Sequence, residues 1–136
     1  MQVFVAVTIA ILVAMAHPAK AIDDRETAIR SVIDLQVQAF GRDDAEAAYA
    51  VASPMIQAQF GNADTFLAMV RRSYPQVYRP RQFRFGKLVD VQGKLLQHVL
   101  VQGPDDAIVT AVYDMVSIDG AWRINGCYLL RGGDEA

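Results

Sequence analysis

The chain changes its hydrophobic period near the middle. From Asp23 to Tyr74 apolar residues recur every three or four positions, and from Arg81 to Leu130 they tend to alternate. In the first half, Asp23-Asp24 sit where a helix cap belongs. Ile29, Val32, Ile33, Gln36, Val37 and Phe40 then fall on one stripe until Gly41 stops it. Asp43-Asp44 open an Ala-rich helix through Ala52. Ser53-Pro54 reads as a new cap with proline at the first helical position, starting a short segment that runs to Phe60-Gly61. A third helix starts at Asp64, with Phe66, Leu67, Val70 and Tyr74 on one side and Arg71-Arg72 in its last turn, where cations suit the helix dipole. Tyr74-Pro75 to Arg79-Pro80 predicts irregular chain, because each proline pushes its predecessor out of the α region.

The second half predicts four strands, Arg81–Val91, Lys94–Gln102, Ala107–Ile118 and Ala121–Leu130. Asp119-Gly120 is a strong two-residue hairpin signal, Gln92-Gly93 a weaker one, and Gly103-Pro104-Asp105-Asp106 a four-residue turn. Those turns set Lys87 opposite His98, His98 opposite Ala111, Ala111 opposite Tyr128, and Asp114 opposite Asn125. Pleat alternation then gives one apolar face: Phe83, Phe85, Val89, Leu96, Leu100, Val109, Tyr113, Met115, Trp122, Ile124 and Leu130. The fold class is therefore α+β, three N-terminal helices packed on a curved four-stranded antiparallel meander.

The opposite face mixes Leu88, Leu95, Val99, Val101, Val112, Val116 and Leu129 with Arg84, Asp90, Asp114, Arg123 and Asn125. A sheet surface facing water is usually more polar, so this face predicts an interface, with a homodimer as the expected form.

Residues 1–21 carry an address. An uncharged run of 14 residues from Val3 to Ala16 precedes His17-Pro18 and the small-x-small Ala19-Lys20-Ala21, the order of a secretory signal peptide cleaved after Ala21. The run is short for a membrane span, which needs about 20 residues. The remainder is one domain, residues 22–136, expected in the bacterial periplasm and without a membrane partner. Without Lys20 it holds 12 Lys+Arg against 15 Asp+Glu. That balance argues against a nucleic-acid partner. Cys127 is the only cysteine and His98 the only histidine after the leader, so neither a disulfide framework nor a tetrahedral zinc site can form within one chain. The sequence has no Asp-rich calcium loop, no Gly-rich phosphate loop and no Gly-x-Ser-x-Gly elbow. No cofactor and no metal is expected.

The stretch from Ile29 to Leu130, nearly all of the segment after the leader, also resembles a family. Ala39-Phe40, Asp43-Asp44, Ala52-Ser53-Pro54, Phe60-Gly61, Met69-Val70, the stretch from Tyr74 to Pro80, and Trp122 to Cys127 together look like a member of the domain of unknown function 4864 family, found in exported bacterial proteins. Helices followed by a curved meander resemble the cone-shaped nuclear transport factor 2-like fold. The resemblance implies the fold and the compartment and carries no activity and no catalytic residue.

Candidate chemistry lies in two places. Lys87, His98 and Tyr128 form a polar row on the predicted core face, with small Ala111 between His98 and Tyr128 as a pocket floor and Tyr113 nearby. A buried polar group without a partner costs on the order of 1–3 kcal/mol, so these groups need one another, solvent or a ligand. The other place is the run from Arg71 to Lys87, six basic residues and no acidic one. In it Arg79 is set by Tyr78 and Pro80 to meet a carboxylate or phosphate, or an internal acid such as Asp44 or Asp64. The ligand-binding set is thus His98, Tyr128, Lys87, Ala111, Tyr113 and Arg79, and the expected ligand a small, partly apolar, anionic molecule held between sheet and helices. A cofactor-free lyase or isomerase with His98 as base and Tyr128 as oxyanion donor is the alternative, as is a protein-interaction module using the outer sheet face. Cys127 reads as a quiet, half-buried thiol, and Asp114 as a carboxylate paired with Arg123.

Overall fold

The first four helices each begin at a side-chain cap. The computed structural model describes residues 23–131, so the leader read at residues 1–21 lies outside the described residues. Asp23 accepts from Arg25 N and starts α1 (Asp24–Gly41), which buries Ile29, Ile33, Gln36, Ala39 and Phe40. Asp44 accepts from Ala47 N at α2 (Ala45–Ala50), and Ser53 from Ile56 N at α3 (Pro54–Phe60). Asn62, two residues before Asp64, caps α4 (Ala63–Ser73). The stretch read as irregular holds one more helical turn, α5 (Pro75–Tyr78). Pro75 occupies its first position, where the missing N–H is no loss. The extended residue that proline demands is Tyr74, which falls between α4 and α5.

The Ala-rich helix ends at Ala50 because the chain beyond it joins the sheet. Ile124 N donates to Val51 O at 2.8 Å, and Ser53 N donates to Ile124 O at 2.8 Å. Ser53 Oγ, in a residue only 1% exposed, also donates to Asn125 Oδ1 at 2.8 Å. One short segment therefore ties the α2–α3 junction to the last strand.

The sheet is an antiparallel meander of β1 (Gln82–Val91), β2 (Lys94–Gln102), β3 (Ile108–Ile118) and β4 (Ala121–Arg131), in that order. The fold class is α+β. Both two-residue hairpins close as the sequence predicts, Val91 on Lys94 and Ile118 on Ala121. Gln92, Gly93, Asp119 and Gly120 all have positive φ, the condition for a primed turn whose twist matches the strands.

Elsewhere the register differs at three points, each by one residue. The β2–β3 loop closes Gln102 on Ile108, so it spans residues 103–107 and is not a four-residue turn. A bulge between Phe85 and Leu88 interrupts β1, and Asn125 is the extra residue where β4 slips against Asp114/Met115. Side chains alternate with period two, so each slip moves the residues beyond it to the other face. His98 pairs with Val112, and Val112 with Tyr128. Ala111 instead faces Val99 and Leu129, and Asp114 faces Gly126. Lys87 sits in the bulge without a cross-strand partner. The core face carries Phe83, Phe85 and Leu88; Leu95, Gln97, Val99 and Val101; Val109, Ala111, Tyr113 and Met115; Trp122, Ile124, Cys127 and Leu129. Val89, Leu96, Leu100 and Leu130, read as core, belong to the outer face, while Leu88, Leu95, Val99, Val101 and Leu129 have changed places with them.

The β1 bulge has a visible cause. It takes the Gly86 and Lys87 carbonyls out of the ladder, and buried Gln97 answers them. Its Nε2 donates to Gly86 O at 3.1 Å, Lys87 O at 3.3 Å and His98 O at 2.9 Å. Arg30 of α1 reaches the same Gly86 carbonyl at 3.2 Å while lying over the Phe85 ring.

Ser53→Ala removes the α3 cap and the bond to Asn125 together, so it is expected to cost about 1–2 kcal/mol. Urea unfolding measures this as a lowered midpoint with unchanged slope, and an unmoved midpoint contradicts the role given to Ser53.

Candidate functional site

Between the helices and β3–β4 lies a cavity of about 490 Å³, within the size range of small-molecule sites. Its walls are mostly apolar, formed by Phe40 of α1, Ile56 and Phe60 of α3, Phe66, Met69 and Val70 of α4, Val77 of α5 and Ile124 of β4. Phe66 is the centre of this wall, with ring centroids 6.2 Å from Phe40, 5.8 Å from Tyr49 and 5.7 Å from Phe60. Its position follows from the α4 stripe: Phe66, Leu67 and Val70 point inward while Asp64, Arg71 and Arg72 stay in water.

Few polar groups reach the cavity. Among the described residues Gln36, Gln59, Ser73, Tyr74, Tyr113 and Cys127 line it, and no Asp, Glu, Lys, Arg or His does. Gln36 is buried, and its Nε2 donates to Ala48 O at 3.1 Å. The Tyr74 hydroxyl donates to Cys127 O at 3.1 Å. Tyr113 differs from these. It is 1% exposed, and among the described residues its hydroxyl makes no regular hydrogen bond, with only the Cys127 sulfur beside it. Its cross-strand neighbours are Gln97 and Cys127, so a polar row Gln97–Tyr113–Cys127 crosses the core face. Gln97 Oε1 is likewise buried with no hydrogen-bond partner among the protein's groups.

Burial keeps this row neutral. It pushes the Cys127 thiol up to about 12; the Tyr113 hydroxyl beside it favours the thiolate but does not outweigh desolvation. Burial likewise holds the Tyr113 phenol well above its ordinary value, with Cys127 adding to the effect.

The sequence-predicted residues are only partly brought together. Tyr113 lines the cavity, and Ala111 is buried on the same sheet face without lining it. His98 and Tyr128 are neighbours across Val112 on the outer face, where Tyr128 is 47% exposed. Lys87 is exposed in the bulge. The row proposed from the hairpins thus lies behind the sheet, displaced by the register slips. Gln36 and Cys127, which line the cavity, and Gln97, which lies beside Tyr113 without lining it, were missed as site residues. The alternation in β2 and β4 contained Gln97 and Cys127, and only the register slips decide which parity points inward.

Arg79 finds an internal acid, and it is Asp43 in place of Asp44 or Asp64. The pair spans 3.0 Å, Arg71 approaches the same carboxylate at 3.3 Å, and the Tyr78 hydroxyl donates to it. Both guanidinium groups lie over the Tyr78 ring, at 4.8 and 5.5 Å. The hydrogen bond from Tyr78, followed by the two arginines, lowers the Asp43 carboxyl below its ordinary value despite some desolvation. This cluster is solvent-exposed and joins the α1–α2 junction to α4 and α5. On the outer sheet face Asp114 pairs with Lys94 at 3.2 Å, not with Arg123. Among the described residues no group of three or more His, Cys, Asp or Glu side chains is placed to hold a metal ion.

The raised thiol has two measurable consequences. Iodoacetamide should label Cys127 in the native protein about a thousandfold more slowly than in denaturant, since its ordinary value is 9.0 and the folded one about 12. Equal rates contradict the burial described. A group whose folded pKa is raised gives stability that is complete below the unfolded value and lost as pH rises through the folded one. Unfolding free energy should therefore decline from about pH 9 toward pH 12, and Cys127→Ala should flatten part of that decline.

No curated protein and no solved structure matches the chain. A family does, and its match covers every element that builds the cavity. Through residues 22–136 the chain belongs to the family described as Domain of unknown function (DUF4864).

Proposed function

We propose that this is an exported binding protein with a nuclear transport factor 2-like cone, holding a small, mainly apolar molecule between its helices and sheet. The observation that carries this reading is the cavity of about 490 Å³ with an apolar wall and one buried hydroxyl that makes no regular hydrogen bond among the described residues. The anionic group expected from the sequence draws no support from the lining. An anion there would lose its hydration with no cation to replace it, a cost of several kcal/mol. Binding is also favoured over catalysis. Among the described residues the cavity wall offers no histidine, carboxylate or amine to move a proton, and His98 lies on the other side of the sheet. Export rests on the apolar run and Ala19-Lys20-Ala21 of the leader. Among the described residues no helix is long and apolar enough to cross a membrane.

1-Aminoanthracene, a neutral aromatic probe of suitable size, is expected to bind with a 1:1 stoichiometry and enhanced fluorescence. Ile56→Trp, at the half-buried α3 wall, should reduce its affinity at least tenfold while the protein stays folded by circular dichroism. Absence of saturable binding to the wild type contradicts the reading.

A second reading concerns the outer sheet face, and a separate observation favours it. Leu100, Ile108 and Tyr128 are 44%, 56% and 47% exposed there, around fully buried Val112. A second copy of the chain, packed about a two-fold axis, would cover this patch with the same patch. Light scattering after gel filtration should give twice the chain mass, and Leu100→Asp should return it to one; a wild-type monomer at micromolar concentration refutes this reading.

A further inference from the structure

We infer that the sheet end of the cavity is a hydrogen-bond-donating subsite that selects neutral ligands carrying a single acceptor, of the ketone, aldehyde or ester class, through the Tyr113 hydroxyl. The inference rests on the cavity-binding reading and names the ligand class for it.

Two observations stand behind the subsite. Tyr113 is among the largest fully buried side chains, and its ring is held by Phe83 in an edge-to-face contact at 6.5 Å. The phenol is therefore fixed at its ring; the residue lines the cavity, and its buried hydroxyl has no geometrically regular hydrogen bond among the described residues, only the Cys127 sulfur beside it. Sulfur is a weak acceptor, so a hydroxyl in that position gains a strong partner from an acceptor oxygen in the cavity. The second observation is Cys127, its cross-strand neighbour on the same wall, which adds a weak second donor.

The chemistry of the wall then sorts the candidates. An acceptor oxygen meets a donor that has only the weakly accepting Cys127 sulfur beside it. A hydrocarbon leaves that donor without a strong partner, and a carboxylate brings charge into a lining with no cation. Burial that keeps phenol and thiol protonated ensures that both remain donors across the physiological range. The ligand is also oriented, with its acceptor against β3 and β4 and its apolar body toward Ile56, Phe60 and Met69 of α3 and α4.

Three naphthalenes of one shape test the proposal on the full folded domain: 2-acetonaphthone, 2-ethylnaphthalene and 2-naphthoate. Affinities are read by displacement of 1-aminoanthracene. Tyr113→Phe should weaken 2-acetonaphthone about fivefold to tenfold and leave 2-ethylnaphthalene unchanged, while 2-naphthoate binds the wild type at least tenfold more weakly than the ketone. Among the described residues the hydroxyl has only the weakly accepting Cys127 sulfur beside it, so the Tm of the variant should change little. An independent readout on the wild type is the infrared carbonyl stretch of bound 2-acetonaphthone, expected at lower frequency than in hexane. If both neutral naphthalenes bind but Tyr113→Phe affects them equally, or the stretch matches hexane, the donor subsite is wrong and the cavity reading stands. If none of the three binds, both are wrong.

Discussion

Carbonyls released from a β-ladder inside a protein have to be hydrogen-bonded again, and in this chain Gln97 does so for Gly86 and Lys87. That interaction fixes the β1 bulge, and the bulge sets which side of β1 faces the helices. With Phe83, Phe85 and Leu88 all turned inward by it, the sheet has an apolar face along its whole width. Gln97 also begins the polar row that continues through Tyr113 to Cys127. A structural device at one edge of the sheet thus sets the parity of β1, while the β2–β3 and β3–β4 registers set that of Tyr113 and Cys127.

The second fixed point is at the other edge. Asn125 is extruded from β4, and Ser53 takes up its side chain while the backbone of Val51 and Ser53 pairs with Ile124. This holds α3 against the strand end, so that Ile56 and Phe60 form one wall of the cavity and Ile124 and Cys127 another. Helix packing on a flat regular sheet would close such a space; a bulged and twisted one leaves its helices standing off at one end. Among the described residues the polar groups that remain there are neutral and few.

Much of this architecture was legible in the sequence. The caps at Asp23, Asp44 and Ser53, the stripe of α1 and α4 and the two primed hairpins are local features, set by residues within a few positions of one another. They predict a helical half packed on a four-stranded meander, and they place Phe83, Phe85, Tyr113, Met115, Trp122 and Ile124 inside. The site was only half legible. A buried polar row was expected, and one exists, but its members are Gln97, Tyr113 and Cys127 in place of Lys87, His98 and Tyr128. What separates the two rows is one residue of register. Bulges depend on long-range partners: Gln97 lies 11 residues from Gly86, and Ser53 lies 72 from Asn125. Strand alternation carries no sign of either, because a period-two pattern reads equally well in both parities when both faces hold apolar residues.

Tyr113 between Gln97 and Cys127, facing the helices, is the central claim, and backbone nuclear Overhauser contacts across the strands in solution test it most directly. The account predicts cross-strand contacts of Tyr113 with Gln97 and Cys127, and of Val112 with His98 and Tyr128. Contacts of Ala111 with His98 and Tyr128 instead would restore the unbulged register, turn those two rings inward, and contradict it.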